Sequence, residues 1–331
     1  ANTTGASNTA VGTNAADAIT TQSGIVAVGA AACTAATIAD LVGVGFEALE
    51  ANTTGGQNTA VGYKAMKTNT TGHNSVAVGY QALYSFTTGN RNTAVGSNAL
   101  YSCTTGQYNT ALGMQALEDL TDSEQNIGIG YAAGKDITTG DDNICIGYNT
   151  LGTSTTGSQN VAIGSGALQS CTTDRNTAVG YQALILATTA QWNTAIGRYA
   201  LRAITTGHYN TAIGHDAGSA QTTGSDNVYI GNNCGENDGT NGEVMIYNGT
   251  NTARFQGSGT SWSITSDGRD KTDYKDLELG VEFLKKIKPR QFKWDWRDGK
   301  KEGNGTIRSG FIAQEVLEAC DAEGLSRTPE D

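Results

Sequence analysis

A glycine returns at almost constant spacing through the first two thirds of the chain, and each time it closes a pentapeptide such as NTAVG. We call these residues the repeat glycines: Gly12, Gly29, Gly45, Gly62, Gly79, Gly96, Gly113, Gly130, Gly147, Gly164, Gly180, Gly197, Gly214 and Gly231. The 14 units span 219 residues from first to last glycine, with 17-residue intervals except for two of 16. So constant a spacing indicates that every unit follows the same path, because an inserted residue would turn the following side chains to the wrong face.

The residues before each repeat glycine alternate in character. The position one residue before it is always aliphatic, as in Val11 and Ile129, and the position three before it is always β-branched, as in Thr9 and Val26. The position between them is Ala, Gly or Cys in 13 of the 14 units, with Tyr229 as the exception. This alternation predicts a short strand with one aliphatic face and an opposite face that meets another backbone at close range.

A second short packed segment follows each repeat glycine. The residue three positions after it is small, and the residue four positions after it is most often Leu, as in Leu83 and Leu100. Thr-Thr-Gly sequences, as at residues 53–55, supply turn chemistry before most strands. Two short strands and two turns per unit predict one coil of a β-solenoid or β-roll, and 14 stacked coils predict a rod of roughly 65 Å.

Asparagine recurs four residues before the repeat glycine in 11 of the 14 units, as in Asn8, Asn58, Asn92 and Asn227. Stacked coils would place these amides in a column, which predicts a hydrogen-bonded ladder. A coil this thin offers few aliphatic side chains, so a lone rod would bury little apolar surface. Three rods packed around an axis would bury both strand faces, and we therefore expect a homotrimer.

The sequence NSVAVG at residues 74–79 and its NTAVG and NTAIG relatives resemble the repeat in the heads of trimeric autotransporter adhesins and in many phage fibre proteins. The resemblance covers about 225 residues. It implies a homotrimeric, left-handed parallel β-roll. The usual unit of that family is shorter than the 17 residues found here.

Charge divides the chain into two regions. Residues 1–258 hold 8 Lys and Arg and 17 Asp and Glu, whereas residues 259–331 hold 13 and 15 together with both prolines. We predict a repetitive shaft over residues 1–235, a short β linker over 236–265 with strands at 244–247 and 253–256, and a small α+β domain over 266–331. Helices are predicted around residues 277–287 and from Gly310 onward.

Three motifs of the last region occur in a specific order: SDGRDK, LGVEFLKKIKPRQFKW and GFIAQEV. Together they resemble the endosialidase-type intramolecular chaperone of phage tail fibres and tail spikes. That resemblance implies a domain that drives trimerisation of the fibre before it and then cuts itself off before the serine of the SD motif. The family domain continues into long helices beyond GFIAQEV, so we expect this chain to be a piece of a larger fibre protein with an incomplete chaperone domain.

Carried over by position, the resemblance implies cleavage of the bond between Thr265 and Ser266. Ser266 would be the nucleophile and Lys271 the base, with Asp267 and Arg269 in supporting roles. A serine hydroxyl needs a base within hydrogen-bond reach, and a lysine can serve if burial lowers its pKa. Such a site would act once on its own chain, as a single-turnover serine peptidase with no external substrate.

Other chemistry in the sequence is sparse. The net charge of −11 disfavours an electrostatic grip on nucleic acid or an anionic membrane, and no segment approaches a membrane span. The six cysteines form no CxxC pair, the three histidines form no ligand set, and the calcium nonapeptide is absent, so we predict free thiols and neither metal nor cofactor. Paired threonines point to opposite sides, which disfavours an ice-binding face.

The combined expectation is an extracellular virion tail-fibre protein, a trimeric shaft for host-surface adhesion that a C-terminal chaperone assembles. Its expected partners are two copies of itself, other virion tail proteins and a host-surface receptor. A fragment of a bacterial trimeric surface adhesin is the alternative. An autonomous protease would need a substrate cleft that the sequence does not indicate.

Overall fold

The computed structural model of the chain describes residues 4–235, 239, 241–255, 290–292, 308–310 and 318. The chain divides into two compact units, Ala1–Thr265 and Ser266–Asp331. The first unit is a parallel β-solenoid of 14 coils, with one strand in each coil.

Each of the 14 coils contributes a three-residue strand directly before its repeat glycine. The strands are β1 Thr9–Val11, β2 Val26–Val28, β3 Val42–Val44, β4 Thr59–Val61, β5 Val76–Val78, β6 Thr93–Val95, β7 Thr110–Leu112, β8 Ile127–Ile129, β9 Ile144–Ile146, β10 Val161–Ile163, β11 Thr177–Val179, β12 Thr194–Ile196, β13 Thr211–Ile213 and β14 Val228–Ile230. Each strand pairs in parallel with the next, without a shift in register, so that Ala94 lies beside Ala111. The predicted solenoid and its 17-residue period are confirmed.

The sheet ends in a hairpin. Strand β15, Val244–Tyr247, continues the parallel order, and β16, Thr252–Phe255, turns back against it. The strand predicted at 244–247 is confirmed, and the one predicted at 253–256 begins one residue earlier. In the second unit, β17 (Arg290–Phe292) pairs antiparallel with β18 (Arg308–Gly310). Gly310 therefore ends a strand, whereas Glu318, in the segment predicted to be helical, is helical. Residues 277–287 lie outside the described residues.

The two faces of each strand have different surroundings. The strand-centre side chains, such as Ala94 and Ala111, are fully buried inside the coil. The residues on either side of the centre point outward, and Leu112 and Ile213 are 48% and 41% exposed. The small face therefore contacts the opposite segment of its own coil, and the aliphatic face is left without a partner in the single chain.

The second packed segment of the coil is a series of turns, and the second strand predicted there is absent from every described coil. In the coil after Gly79, Gln81 and Leu83 adopt the left-handed backbone conformation, with φ of 53° and 50°. Alternating left-handed residues coil the chain too tightly for a strand, while Leu83 and the preceding Ala82 still point into the core and are fully buried. Backbone bonds to the neighbouring coil offset the strain, as in Leu83 N–H to Ala99 O at 3.0 Å.

The repeat glycines are required by both conformation and space. Gly113 has φ of 141°, and a Cβ at this position would lie 2.3 Å from the carbonyl oxygen of Gly130 in the next coil. A side chain is therefore excluded twice, once by the backbone angle and once by the close approach of the neighbouring backbone. The same contact recurs from coil to coil, which explains why glycine occupies this position in every unit.

The predicted asparagine ladder is confirmed. Asn126 is fully buried, and its Oδ1 accepts hydrogen bonds from the backbone N–H of Asn143 at 3.0 Å and from Asn143 Nδ2 at 3.1 Å. Its Nδ2 donates to the carbonyl oxygen of Gly140 at 2.9 Å. The ladder passes through a 16-residue coil, where Asn176 N–H donates to Asn160 Oδ1 at 2.9 Å. Each amide thus satisfies buried backbone groups of the next coil.

Candidate functional site

The residues predicted to perform the self-cleavage lie outside the described residues. These are Ser266, Lys271, Asp267 and Arg269, together with the bond between Thr265 and Ser266. The structure therefore leaves their mutual geometry untested, and their roles stay predictions. The surfaces that the structure does describe belong to the solenoid.

The outward side of the sheet forms a largely aliphatic stripe along the rod: the column one residue before each repeat glycine is aliphatic throughout, and the column three before it is Val or Ile in seven units and Thr in seven. Its two columns are the residues one and three positions before the repeat glycines, such as Val76, which is 36% exposed, and Ile196, which is 40% exposed. Parallel pairing without a shift in register aligns these side chains from coil to coil. Aliphatic side chains in so regular an array offer a flat apolar surface for another protein chain.

Aromatic residues line one edge of this stripe, in the position directly after the repeat glycine. Phe46, Tyr63 and Tyr80 form a stack with ring centroids 5.4 and 5.2 Å apart, and Tyr131 stacks on Tyr148 at 5.4 Å. This column is not among the features predicted above. Its signal is present in the sequence, since six of the 14 units carry Phe or Tyr immediately after the glycine.

A cationic cluster lies on the coil that follows Gly197. The guanidinium carbons of Arg198 and Arg202 lie 4.3 and 5.0 Å from the centroid of the Tyr199 ring. Arg198 Nη1 is 3.3 Å from His215 Nε2, and its Nη2 donates to the Tyr199 hydroxyl at 3.2 Å. The side chains of Arg198, Arg202 and His215 are exposed. Within the described part of the chain, no carboxylate lies within salt-bridge distance of either guanidinium.

Two lysines, Lys64 and Lys67, lie on the same side of a coil nearer the N-terminus, and both are paired with acids. We call this pair the lysine corner. Lys67 Nζ lies 2.6 Å from Glu47 and 3.3 Å from Glu50, and Lys64 Nζ lies 3.6 Å from Glu47. The hydrogen bond from Lys67 lowers the pKa of the Glu47 carboxyl, and the same contact raises the pKa of Lys67. This corner is therefore locally neutralised, unlike the arginine cluster.

A buried polar network closes the C-terminal end of the solenoid. Tyr229 replaces the small strand-centre residue, and its hydroxyl donates to Glu243 Oε2 at 3.0 Å while accepting from Gln221 Nε2 at 2.7 Å. Arg254 forms an ion pair with the other oxygen of Glu243, which is fully buried. Glu243 N–H also donates to Asn227 Oδ1 at 2.8 Å, so the network ends the asparagine ladder.

The cysteines and the paired threonines have structural roles in the coils. Cys33, Cys103, Cys145, Cys171 and Cys234 are buried and free. Burial raises the pKa of Cys145 to about 12, which keeps its thiol protonated and unreactive. The first threonine of most pairs serves a structural role, as in Thr70 Oγ1, which donates to Thr87 O at 3.1 Å in the next coil.

Metal and membrane chemistry are not indicated by the described residues. No group of three or more His, Cys, Asp or Glu side chains in that part of the chain is arranged to hold a metal ion. Among the same residues, no helix has the length and apolar character that a membrane crossing requires.

Comparison with known proteins adds information about the second unit. A family model, the chaperone of endosialidase, matches residues 266–325. The match begins at Ser266 and covers the three motifs of the sequence analysis. No curated protein and no solved structure matches the chain.

The C-terminal region is therefore similar in sequence to the chaperone of endosialidase, and it follows a parallel β-solenoid of 14 coils along the chain.

Proposed function

We propose that this chain is the shaft and part of the chaperone of a bacteriophage tail fibre. In this proposal three copies pack through their aliphatic stripes, the C-terminal domain directs that assembly, and the domain then cuts itself off before Ser266. The mature shaft is extracellular, is attached to the virion through other tail proteins, and reaches toward the host surface. The observation that carries the proposal is the match of the endosialidase chaperone family to residues 266–325, directly after a β-structured rod.

The position of the family match supports the proposed cut. It begins at Ser266, the residue that the SD motif implies as nucleophile. Ser266 Oγ attacks the carbonyl carbon of Thr265, and Lys271 accepts the hydroxyl proton. The C–N bond breaks, the Ser266 nitrogen leaves as an amine after protonation, and water hydrolyses the resulting ester. Because both groups belong to one chain, the attack benefits from proximity that an external substrate would lack.

The surface of the solenoid supports self-association. Within one chain, the small strand-centre residues already fill the coil interior, so the outward columns remain as exposed apolar surface, with the aromatic column at their edge. An identical rod offers the same spacing between coils, so each aliphatic side chain meets an equivalent partner along the whole length. A large exposed stripe of this kind marks a protein–protein contact in a soluble protein.

Mass spectrometry of the purified full-length protein tests the cut. We expect a fragment whose N-terminus is Ser266, and we expect Ser266→Ala to remain intact while still assembling. Ser263→Ala, three residues earlier, is the matched control and should cleave normally. Lys271→Ala should slow cleavage by roughly two or more orders of magnitude, as loss of a general base does, whereas Lys275→Ala should not.

An intact chain in both the wild type and Ser266→Ala would contradict the proposed self-cleavage. Analytical ultracentrifugation of the same samples tests assembly independently. We expect the mass of a trimer at micromolar concentration. A monomer with a complete β-sheet signal by circular dichroism would contradict the trimeric fibre.

A further inference from the structure

The charges of the solenoid are unevenly distributed along its length. Residues 175–215 contain three arginines and two histidines and no Asp or Glu, although the whole chain has a net charge of −11. In a stacked solenoid this segment is a band about 12 Å tall, since each coil adds roughly 4.8 Å. The band therefore carries a net positive formal charge and is bounded in sequence by Asp174 and Asp216.

Within this band, Arg198 and Arg202 approach the same tyrosine ring from a single coil. Their guanidinium carbons lie 4.3 and 5.0 Å from the centroid of Tyr199, and both side chains are exposed. Two cations on one ring repel each other, and an anion between them would remove that repulsion. The imidazole of His215 lies beside them, with its Nε2 3.3 Å from Arg198 Nη1 and its Nδ1 3.0 Å from Asp216 Oδ2, so both of its ring nitrogens already have partners within the chain.

At the lysine corner, by contrast, carboxylates of the same chain neutralise the two cations. Lys67 and Arg202 occupy equivalent positions, because each lies five residues after a repeat glycine, Gly62 and Gly197 respectively. Glu47 and Glu50 supply carboxylates within 2.6 and 3.3 Å of Lys67, whereas Arg198 and Arg202 have no such partner among the described residues. The arginine cluster therefore resembles a charge pair whose anion comes from another molecule.

We propose that Arg198 and Arg202 form a binding site for the carboxylate or phosphate group of an acidic saccharide. A guanidinium can hold such a group through two parallel N–H···O bonds, which an ammonium cannot do. The surrounding aromatic side chains favour a sugar over a bare ion, because their exposed apolar edges can contact the C–H groups of a pyranose. Tyr181, with Arg198 5.9 Å from its ring, lies beside the cluster, and Trp192 and Tyr209 lie on the same band.

Duplex nucleic acid is a poorer fit. It carries one charge per roughly 1.7 Å of length, which three arginines cannot offset against the net negative charge of the chain. An acidic saccharide with about one charge per sugar places a single anion at the cluster and leaves its neutral hydroxyls over the rest of the band.

Isothermal titration of the full chain at low salt tests the site, with oligogalacturonate as the carboxylate probe, poly(glycerol phosphate) as the phosphate probe and neutral dextran as the reference. We expect one of the two charged probes to bind at least tenfold more tightly than dextran, and the tighter probe identifies the anionic group. Arg198→Gln combined with Arg202→Gln should weaken that binding at least tenfold. The same pair changed to Lys should weaken it less, because the charge remains while the paired hydrogen bonds are lost.

Lys64→Gln combined with Lys67→Gln is the matched control, since it also removes two cations from this corner of a coil, and it should change binding by less than twofold. Equal losses in the two Gln variants, no loss in the arginine variant, binding of neither charged probe, or equal or tighter binding of duplex DNA would overturn the proposal. Circular dichroism checks that the exposed substitutions leave the solenoid folded. The site is independent of self-cleavage, so its failure leaves the proposed fibre assembly untouched.

Discussion

Inside the coil, the strand-centre position holds Ala, Gly or Cys in 13 of the 14 units, whereas the two outward positions hold Thr, Val, Ile and Leu in turn. The inner side chain meets the opposite segment of its own coil and has no spare volume, as shown by Gly43, where a Cβ would lie 2.5 Å from Cys33 Sγ. The outward side chain of the same strand lies beside its equivalents in the neighbouring coils and stays partly exposed. Packing within the coil therefore depends on the inner face, and the outer face is available for association.

The largest effect is expected at the repeat glycines, where inner packing is tightest. Gly113→Ala should lower the free energy of unfolding by about 3 to 5 kcal/mol, because it combines a 2.3 Å clash with a backbone angle that L-residues avoid. Urea denaturation followed by circular dichroism measures the change. Gly242→Ala is a control with positive φ and no atom within 4 Å of the added Cβ, and it should cost only about 1 to 2 kcal/mol.

A smaller but clear effect is expected when an inner side chain is enlarged. Ala111→Leu should lower the free energy of unfolding by about 1 to 3 kcal/mol, since the added carbons enter a filled core. The control is Thr110→Ile on the outward side of the same strand, because Ile127 already occupies that position in the next coil. If both substitutions cost the same, the contrast between the faces is wrong.

The asparagine ladder should contribute a comparable or slightly smaller amount per rung. Asn126→Ala leaves the N–H of Asn143 and the carbonyl oxygen of Gly140 without their side-chain partner, at a cost of about 1 to 3 kcal/mol. The same urea denaturation measures this loss. Gln125→Asn changes the exposed neighbour to a residue that tolerates its left-handed conformation and should leave stability within about 0.5 kcal/mol. If Asn126→Ala left the free energy of unfolding unchanged, the ladder would not be a stabilising feature.

The smallest effect on the coil itself is expected on the outer face. Replacing Ile129, Ile146 and Ile163 together by Thr keeps β-branched side chains in three adjacent strands, so the β-sheet signal should be unchanged. Self-association should weaken at the same time, because the aliphatic stripe is interrupted. Sedimentation measures the mass and circular dichroism measures the fold. Loss of the β-sheet signal would show that the outward residues are also needed for folding.

The sequence predicts the strands of the solenoid well, because their positions depend on a repeated local pattern. All 14 strands lie directly before a repeat glycine, as expected from the alternation of residues. The second segment was predicted wrongly because its left-handed residues are not glycine. Nothing in the identity of Leu83 or Leu100 indicates a positive φ; bonds to the neighbouring coil impose it.

The sequence pattern also did not predict which face of each strand points into the coil. Alternation between Ala111 and its aliphatic neighbours identifies two faces, but it does not say whether the small or the aliphatic face is enclosed by the coil. That choice depends on how closely the opposite segment approaches, which is a tertiary distance. The cationic cluster was missed for a related reason, since Arg198 and His215 are 17 residues apart and become neighbours only through stacking.

Because the coils stack on one another through the repeat glycines, the length of the rod is set by the number of coils. Because each coil contacts only the coils on either side, gaining or losing a whole 17-residue unit changes the length by one step of about 4.8 Å and leaves all other contacts as they were. The two 16-residue coils keep the same strand register, so the loss of one residue there is absorbed in the turns. The length of such a shaft can therefore change in fixed increments, while the residues of its first and last coils stay the same.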